Sequence, residues 1–136
     1  MYAAYFAPKK GEISHVISAM ADGADITAAL GAIRVGIPVH AYIPYKGHEK
    51  GKSVYKEWYN FILLNSHQIH GGAMPYSAGC LPQRNLDMIN TGDKCLPLWD
   101  GTWGGTAHCV TSAEKAGKEI LPNLFPSWVK HRKPSK

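Results

Sequence analysis

Short apolar runs alternate with longer segments of helical apolar spacing along this chain, and that alternation constrains its fold most strongly. Runs typical of strands occupy residues 15–20, 38–43, 68–70, 95–99 and 119–121. Strands that alternate with helices are joined by right-handed crossovers and form a parallel sheet with helices on both faces. We therefore predict an α/β fold with a mostly parallel sheet of about five strands.

Helix start and stop signals lie between these runs. Helices are expected over residues 26–35, which Gly36 ends, over 53–64, over 82–90, and over 106–116, which Gly117 ends. Residues 1–14 form an irregular N-terminal segment, in which residues 2–7 could be a short helix or a strand. Trp58 and Trp99 are predicted to be core residues.

Length and composition are those of an ordinary globular protein. The 136 residues, 45% of them hydrophobic and 18% charged, suffice for one domain with its own core, which we expect over residues 1–123. No run is long and apolar enough to predict a membrane span. Three cysteines without a CxxC pair argue against a disulfide or zinc framework and fit a reducing, cytoplasmic environment.

Positive charge is concentrated at the C-terminus. Four of the fifteen basic residues lie in the last seven positions, and no acidic residue follows Glu119, so the formal net charge of +5 belongs mainly to a basic tail, residues 124–136. Such a tail can contact nucleic acid. Basic ends are more often simply solvated, which is the competing interpretation.

Glycine-rich and acidic turns follow several of the predicted strands. Residues 21–25 and 100–106 combine aspartates with glycines before a helix, and the loops 44–49 and 71–79 follow two other strands. Since ligands of parallel α/β folds bind beyond the carboxyl ends of the strands, all four segments should converge on one site. Glycines and helix starts present backbone N–H groups to a phosphate, ribose or carboxylate. Alternatively, these segments are only tight turns and flexible joints.

Charged and polar side chains in these segments each have two interpretations. Asp22, Asp25 and Asp100 can accept hydrogen bonds from ribose hydroxyls, or can cap a helix or shape a turn. Arg84 suits bidentate phosphate recognition, or an ion pair with Asp22 or Asp100. Asn85 can bind a base edge or hold the loop backbone.

Aromatic and histidine residues complete the inventory. Tyr45, Tyr76 and Trp103 can stack on a nucleobase or form subunit contacts. Seven histidines are scattered through the sequence without HxxxH or HxH spacing, so no metal site is predicted. No cofactor is predicted either.

Several short motifs occur along the chain in an order and spacing that resemble those of one protein superfamily. They are Ala21-Asp22-Gly23-Ala24-Asp25, Gly36-Ile37-Pro38-Val39-His40 through Pro44, Gly47-His48-Glu49, Pro75-Tyr76-Ser77, Gln83-Arg84-Asn85, Leu98-Trp99-Asp100-Gly101 and Gly104-Gly105-Thr106-Ala107. Over residues 17–121 the chain resembles the Rossmann-like SLOG superfamily, which includes the LOG phosphoribohydrolases and DNA-processing protein A. The resemblance implies a three-layer sandwich that binds nucleotides or nucleotide-derived signals, such as ADP-ribose-like molecules or cyclic nucleotides.

Two departures from the family pattern shape the functional hypothesis. Members of the family usually begin with a further strand, glycine-containing loop and helix, for which residues 1–14 are too short, so the chain resembles a small or N-terminally shortened member. LOG enzymes also carry a glutamate where this sequence has Cys109, and a neutral thiol cannot stabilise a positively charged ribosyl transition state. We therefore expect a sensor or sequestering protein, for example a phage counter-defence protein, rather than a phosphoribohydrolase.

The predicted site and its alternatives follow from these observations. The residues expected to bind the ligand are Asp22, Gly23, Asp25, Tyr45, Tyr76, Arg84, Asn85, Asp100, Gly101, Gly104, Gly105 and Thr106. A homo-oligomer is expected to complete the pocket. One alternative is a hydrolase that cleaves an N-glycosidic or phosphodiester bond, with Glu49 as the candidate acid or base; the competing interpretation of Glu49 is an ordinary surface residue. The other is a single-stranded DNA-binding protein that uses the basic tail.

Overall fold

The computed structural model describes residues 2–21, 23–51, 55–98, 105–122 and 124. Within it the chain divides into two compact units, residues 1–84 and 85–136, and each unit is considered by itself. The division falls inside one helix, α4, Cys80–Thr91. The basic tail lies outside the described residues except for Leu124.

In its described residues, the first unit contains three strands and three helices before α4. In chain order they are α1, Tyr2–Phe6; a 3-10 segment, Ala7–Glu12; β1, Val16–Ser18; α2, Ala24–Val35; β2, Val39–Ile43; a 3-10 segment, His48–Gly51; α3, Lys56–Asn65; and β3, Gln68–Gly71. The predicted alternation of strands and helices is confirmed here. Of the two possibilities for the N-terminal residues, the helix is correct.

The three strands form a parallel sheet in the order β1-β2-β3. Val16 pairs with Val39 and Ser18 with Ala41, while Ala41 pairs with Ile69 on the other side of β2. Ser18, Ala41 and Ile69 therefore form one row across the sheet. The Oγ of Ser18 donates a hydrogen bond of 3.0 Å to the carbonyl oxygen of Asp25 at the start of α2, so this row faces the helical layer.

Helix α2 is the centre of that layer. Its inward residues Ile26, Ala29 and Ala32 are fully buried, because small and branched apolar side chains let the helix lie close to the sheet. Gly36 ends it in a left-handed conformation, with φ of 84°, as the sequence predicts. On the side of α1 the contact is tighter still: a Cβ on Gly31 would lie 2.6 Å from the Cβ of Tyr2.

The orientation of α3 differs from the sequence-based prediction. Trp58 was expected in the core, yet it is 51% exposed, and Phe61 is 47% exposed. Tyr59 and Ile62 are fully buried instead. The helical spacing is correct, but the face that packs inward is rotated, because α3 directs Tyr59 towards a hydrogen-bond partner, His48, inside the unit.

The part of the second unit that the structure describes contains a short parallel pair of strands and a helix after α4. Its elements are β4, Lys94–Cys95; α5, Gly105–Lys115; and β5, Glu119–Ile120. Lys94 pairs with Glu119 in the β4–β5 register, and their side chains form an exposed ion pair of 3.4 Å. Ala107, Val110 and Ala113 form the buried face of α5.

The molecule is thus a mixed α/β protein with short parallel strands. Among the described residues, the strands form one sheet of three and one sheet of two. The strand predicted over residues 95–99 is shorter than expected, because β4 ends at Cys95 and residues 96–98 are not part of a strand. Trp99 lies outside the described residues. None of the described helices has the length and apolar character required to cross a membrane.

Candidate ligand-binding site

Loops that follow β1, β2 and β3 lie at one edge of the three-stranded sheet, because the strands are parallel. Two of these loops are joined directly. The backbone N–H of Lys46, after β2, donates a hydrogen bond of 2.7 Å to the carbonyl oxygen of Met74, after β3. Tyr45 and Tyr76 meet edge to face, with ring centroids 5.2 Å apart. The predicted convergence of these two loops is therefore present.

The turn between β1 and α2 has an unusual backbone. Met20 is fully buried and has a φ of 62°, a left-handed conformation that costs energy for a residue with a side chain. Ser18 supports it, since its Oγ accepts a hydrogen bond of 3.2 Å from the backbone N–H of Met20. Gly23 follows with φ of 87° and ψ of −119°, which favours glycine.

This turn leads into the start of α2 without a side-chain cap. The N-cap residue is Gly23, which has no side chain to accept hydrogen bonds from the first helical N–H groups. Asp25, one of the aspartates for which capping was considered, lies inside the first turn of the helix. Its Oδ2 accepts a hydrogen bond of 3.3 Å from the backbone N–H of Ala21, so it braces the loop rather than capping the helix.

Arg84 connects α4 to this turn. Its Nη1 donates a hydrogen bond of 3.1 Å to the carbonyl oxygen of Ala19, the first residue after β1. The guanidinium is therefore held at the carboxyl end of the sheet, where the sequence predicts a phosphate-binding arginine. Asp22 and Asp100, its alternative ion-pair partners, lie outside the described residues.

A buried pair of polar side chains lies beside the loop after β2. His48 is 6% exposed, and its Nδ1 is hydrogen-bonded to the Oη of the fully buried Tyr59 across 2.9 Å. Burial raises the pKa of Tyr59 far above its usual value; Glu49 and Tyr45 raise it further, and the positive charge of Arg84 opposes them. Three residues that the sequence analysis considered for the site, Glu49, Tyr45 and Arg84, thus affect the ionisation of one hydroxyl.

Sequence reasoning did not identify His48 or Tyr59 as part of the site. His48 appeared in the Gly47-His48-Glu49 motif and among the seven histidines but was given no role at the site, and on α3 the core was assigned to Trp58 and not to Tyr59. One signal was available: Tyr59 occupies the position next to Trp58 on the same helix, and a tyrosine that is buried usually needs a hydrogen-bond partner for its hydroxyl. Its partner lies in the preceding loop, in the Gly47-His48-Glu49 motif.

Asn85 belongs to the second unit and has a different environment. It is 5% exposed, and its Nδ2 lies 3.2 Å from the Nδ1 of His108 on α5. This bond between two side chains was not predicted. A nearly buried amide that already contacts an imidazole has little surface left for a nucleobase edge, so holding the fold together is its better-supported role.

The remaining predicted site residues are only partly described. Asp22, Asp100, Gly101, Trp103 and Gly104 lie outside the described residues. Gly105 begins α5 and Thr106 follows it in the helix, with the Thr106 side chain outside the description. Glu49, Tyr45 and Arg84 are half-buried, and Tyr76 is 63% exposed.

Four histidines described above as scattered are in fact gathered on the sheet. His15 and His40 stack with ring centroids 3.9 Å apart, His67 lies 5.8 Å from His40, and His70 stacks on Tyr42 at 4.4 Å. Burial lowers the pKa of His40, and the neighbouring His15, His67 and His70 lower it further. Within the described ranges, no group of three or more histidine, cysteine or acidic residues has an arrangement that could hold a metal ion.

The histidine cluster could have been anticipated from strand register. His15 precedes β1, His40 lies in β2 and His67 precedes β3, so one histidine stands near the amino end of each adjacent strand. Side chains at matching positions of neighbouring strands are close in space. Their separation along the sequence hides this relationship until the parallel register is known.

No protein-family model matches the chain, and no curated protein shows a significant similarity to it.

Proposed function

We propose that the chain binds a nucleotide or a nucleotide-derived signalling molecule, ADP-ribose-like or cyclic, at the carboxyl edge of the β1-β2-β3 sheet. In this proposal it is a small Rossmann-like, SLOG-type protein with a three-layer sandwich of about five strands. It acts as a sensor or as a sequestering protein, for example in phage counter-defence.

The observation that carries the proposal is the hydrogen bond from Arg84 to the carbonyl oxygen of Ala19. It fixes a positive charge directly beyond β1, next to the turn that leads into α2. A guanidinium is the side chain best suited to a phosphate, because its planar N–H donors match two phosphate oxygens. The positive end of the α2 dipole lies at the same turn and favours the same negative charge.

Two further features suit the rest of a nucleotide. The buried and strained Met20 commits the β1–α2 turn to one conformation, which preorganises its backbone. The aromatic pair Tyr45 and Tyr76 offers a ring surface for a base, and Tyr76 is largely exposed. In this proposal Arg84 contacts the phosphate and the tyrosine pair contacts the base, both at the same edge of the sheet.

A thermal unfolding panel tests the proposal. The Tm of the protein is measured alone and in the presence of mononucleotides, ADP-ribose and cyclic dinucleotides. Adenosine and inorganic phosphate serve as controls, because each is one part of a mononucleotide. A ligand at a hundred times its Kd adds about 2.7 kcal/mol to the free energy of unfolding, which raises Tm by several degrees in a chain of this size. The proposal expects such a shift with at least one phosphorylated ligand and none with adenosine; no shift with any of them contradicts it.

Hydrolysis of the same ligand is the second candidate function, favoured by Glu49. This carboxylate lies in the 3-10 segment after β2, close enough to the buried His48–Tyr59 pair to raise the pKa of Tyr59. A positioned carboxylate can act as a general acid or base. Chromatography of each stabilising ligand before and after incubation separates the two functions: intact ligand favours binding, whereas products that disappear with Glu49→Gln favour catalysis.

A further inference from the structure

Helix α3 exposes a stripe of large apolar side chains. Trp58, Phe61 and Leu64 follow one another at intervals of three and are 51%, 47% and 85% exposed. Residues at this spacing share one face of a helix. A contiguous apolar surface of this kind is characteristic of a contact with another protein.

Strand β3, which follows α3, is an edge strand among the described strands, since it pairs only with β2. The backbone N–H of His67 donates to the carbonyl oxygen of Val39 in β2. Within β3 the register decides which backbone groups bond to β2. The N–H of Val16 bonds to Pro38, so Ala41 is a residue of β2 whose backbone groups face β3. Ala41 stands opposite Ile69, and in a parallel pair it bonds to the residues on either side of its partner, so Gln68 and His70 bond towards β2 and Ile69 directs its backbone N–H and carbonyl outward. These outward groups can pair with another strand.

Ile69 links the two surfaces. It is 52% exposed and stands in one row with Ala41 and Ser18, the row that faces the helical layer. Helix α3 belongs to that layer, because it packs against α2 and because right-handed crossovers place both helices on the same face. The exposed edge of β3 and the apolar stripe of α3 are therefore on the same outer side of the first unit.

We propose that the chain forms a two-fold symmetric homodimer through β3 and α3. A two-fold axis perpendicular to the sheet at Ile69 pairs β3 with β3 of the second copy in antiparallel orientation. Ile69 then donates its backbone N–H to the carbonyl oxygen of Ile69 of the partner subunit and accepts the equivalent hydrogen bond in return. The same axis keeps both helical layers on one face, so that the two α3 stripes pack against each other.

The size of this surface agrees with a second copy as its occupant. A fully exposed large side chain presents roughly 150–250 Å², so Trp58, Phe61, Leu64 and Ile69 together expose on the order of 400 Å² per copy. Two copies and their strand edges approach about 1,200 Å², the lower end for specific interfaces. No charged residue lies between the members of the stripe on α3, at positions 59, 60, 62 and 63. The dimer does not depend on the proposed ligand.

Sedimentation velocity over about 1 µM to about 200 µM tests the dimer, because this range covers the weak association of interfaces at the lower end of the size scale. The average molecular mass of the wild type in solution should increase with concentration, from 14.9 kDa for the monomer towards twice that value. Leu64→Glu and Phe61→Glu should each weaken the association at least about tenfold, since each would bury a carboxylate at the contact. Leu86→Glu, on an exposed residue of α4, is the matched control and should leave the association unchanged.

Circular dichroism confirms that each variant is folded, and amide exchange tests the strand pairing separately. In the wild type, the amide of Ile69 should exchange more slowly at high concentration than in Leu64→Glu. A wild type that stays monomeric, α3 variants that associate like the wild type, or a control that dissociates equally would overturn the proposed surface. Association without protection of the Ile69 amide would overturn the β3 pairing.

Discussion

Arg84 and Ala19 lie 65 positions apart in the sequence and are joined by a hydrogen bond of 3.1 Å from the guanidinium to the backbone carbonyl oxygen. This bond ties the start of α4 to the end of β1. It therefore joins the Gln83-Arg84-Asn85 motif to the residue directly after β1, two positions before the Ala21–Asp25 motif begins.

Tyr76 should contribute to affinity through its ring and not through its hydroxyl. Tyr76→Ala should weaken nucleotide binding by about 1–3 kcal/mol, the usual contribution of one base stacked on an aromatic side chain. Tyr76→Phe keeps the ring and should bind like the wild type. Calorimetric titration of both variants checks this, and equal losses in the two would assign Tyr76 a role other than stacking.

Removal of the Tyr59 hydroxyl should destabilise the first unit. Tyr59→Phe deprives the buried Nδ1 of His48 of a partner 2.9 Å away, at a cost of about 1–3 kcal/mol in the free energy of unfolding. Tyr55→Phe, on a half-buried tyrosine whose ring meets Trp58, is the control and should change stability by less than about 0.5 kcal/mol. Urea denaturation measures both; a neutral Tyr59→Phe would show that the pair does not stabilise the fold.

The packing of α1 on α2 should forbid any side chain at position 31. Gly31→Ala would normally stabilise a helix by roughly 0.5–1 kcal/mol. Here the new Cβ would lie 2.6 Å from the Cβ of Tyr2 and 2.9 Å from the backbone nitrogen of Ala3, so α1 must move and a net loss of stability is expected. Gly11→Ala, where no atom lies within 4 Å, tests the same substitution without the clash. If Gly31→Ala melts at or above the wild-type Tm, this close contact is not part of the fold.

Acidification should weaken the protein through His40. Its pKa is lowered in the folded state by burial and by His15, His67 and His70, so below its ordinary value of 6.5 the unfolded chain binds more protons than the folded one. The free energy of unfolding is therefore highest at pH values above 6.5 and decreases as the pH falls from about 7 towards the pKa of His40 in the folded state. His40→Phe keeps a ring for His15 to stack on and should reduce the loss between about pH 7.5 and about pH 5.5. Urea denaturation midpoints of the wild type and His40→Phe are measured at both pH values. An identical loss of stability in the two proteins would exclude His40 as the cause of the pH dependence.

The sequence predicted the succession of elements well because the signals are local. Gly36 and Gly117 both have positive φ values and stand where the helices end, and the apolar runs form strands that are indeed parallel. These features depend on backbone preferences and on periodicity within a few residues.

The features that the sequence did not predict depend on which face of a helix or strand packs against the core. Trp58 and Tyr59 are neighbours on α3, and hydrophobicity favours burying the tryptophan; the hydrogen bond to His48 decides for the tyrosine. Asn85 and His108 are 23 positions apart, and nothing local in either segment indicates that they meet. Long-range polar pairs of this kind follow from the tertiary structure and not from spacing.

Calorimetric titration of ADP-ribose and of a cyclic dinucleotide into the wild type and Arg84→Gln tests the central claim most directly. Arg34→Gln, which removes an exposed arginine from the last turn of α2, is the matched control for net charge. The account predicts that at least one ligand binds the wild type and Arg34→Gln equally, and binds Arg84→Gln at least about tenfold more weakly, as expected for loss of a charge-assisted hydrogen bond. Absence of binding by both ligands, or equal affinity in Arg84→Gln, would contradict it.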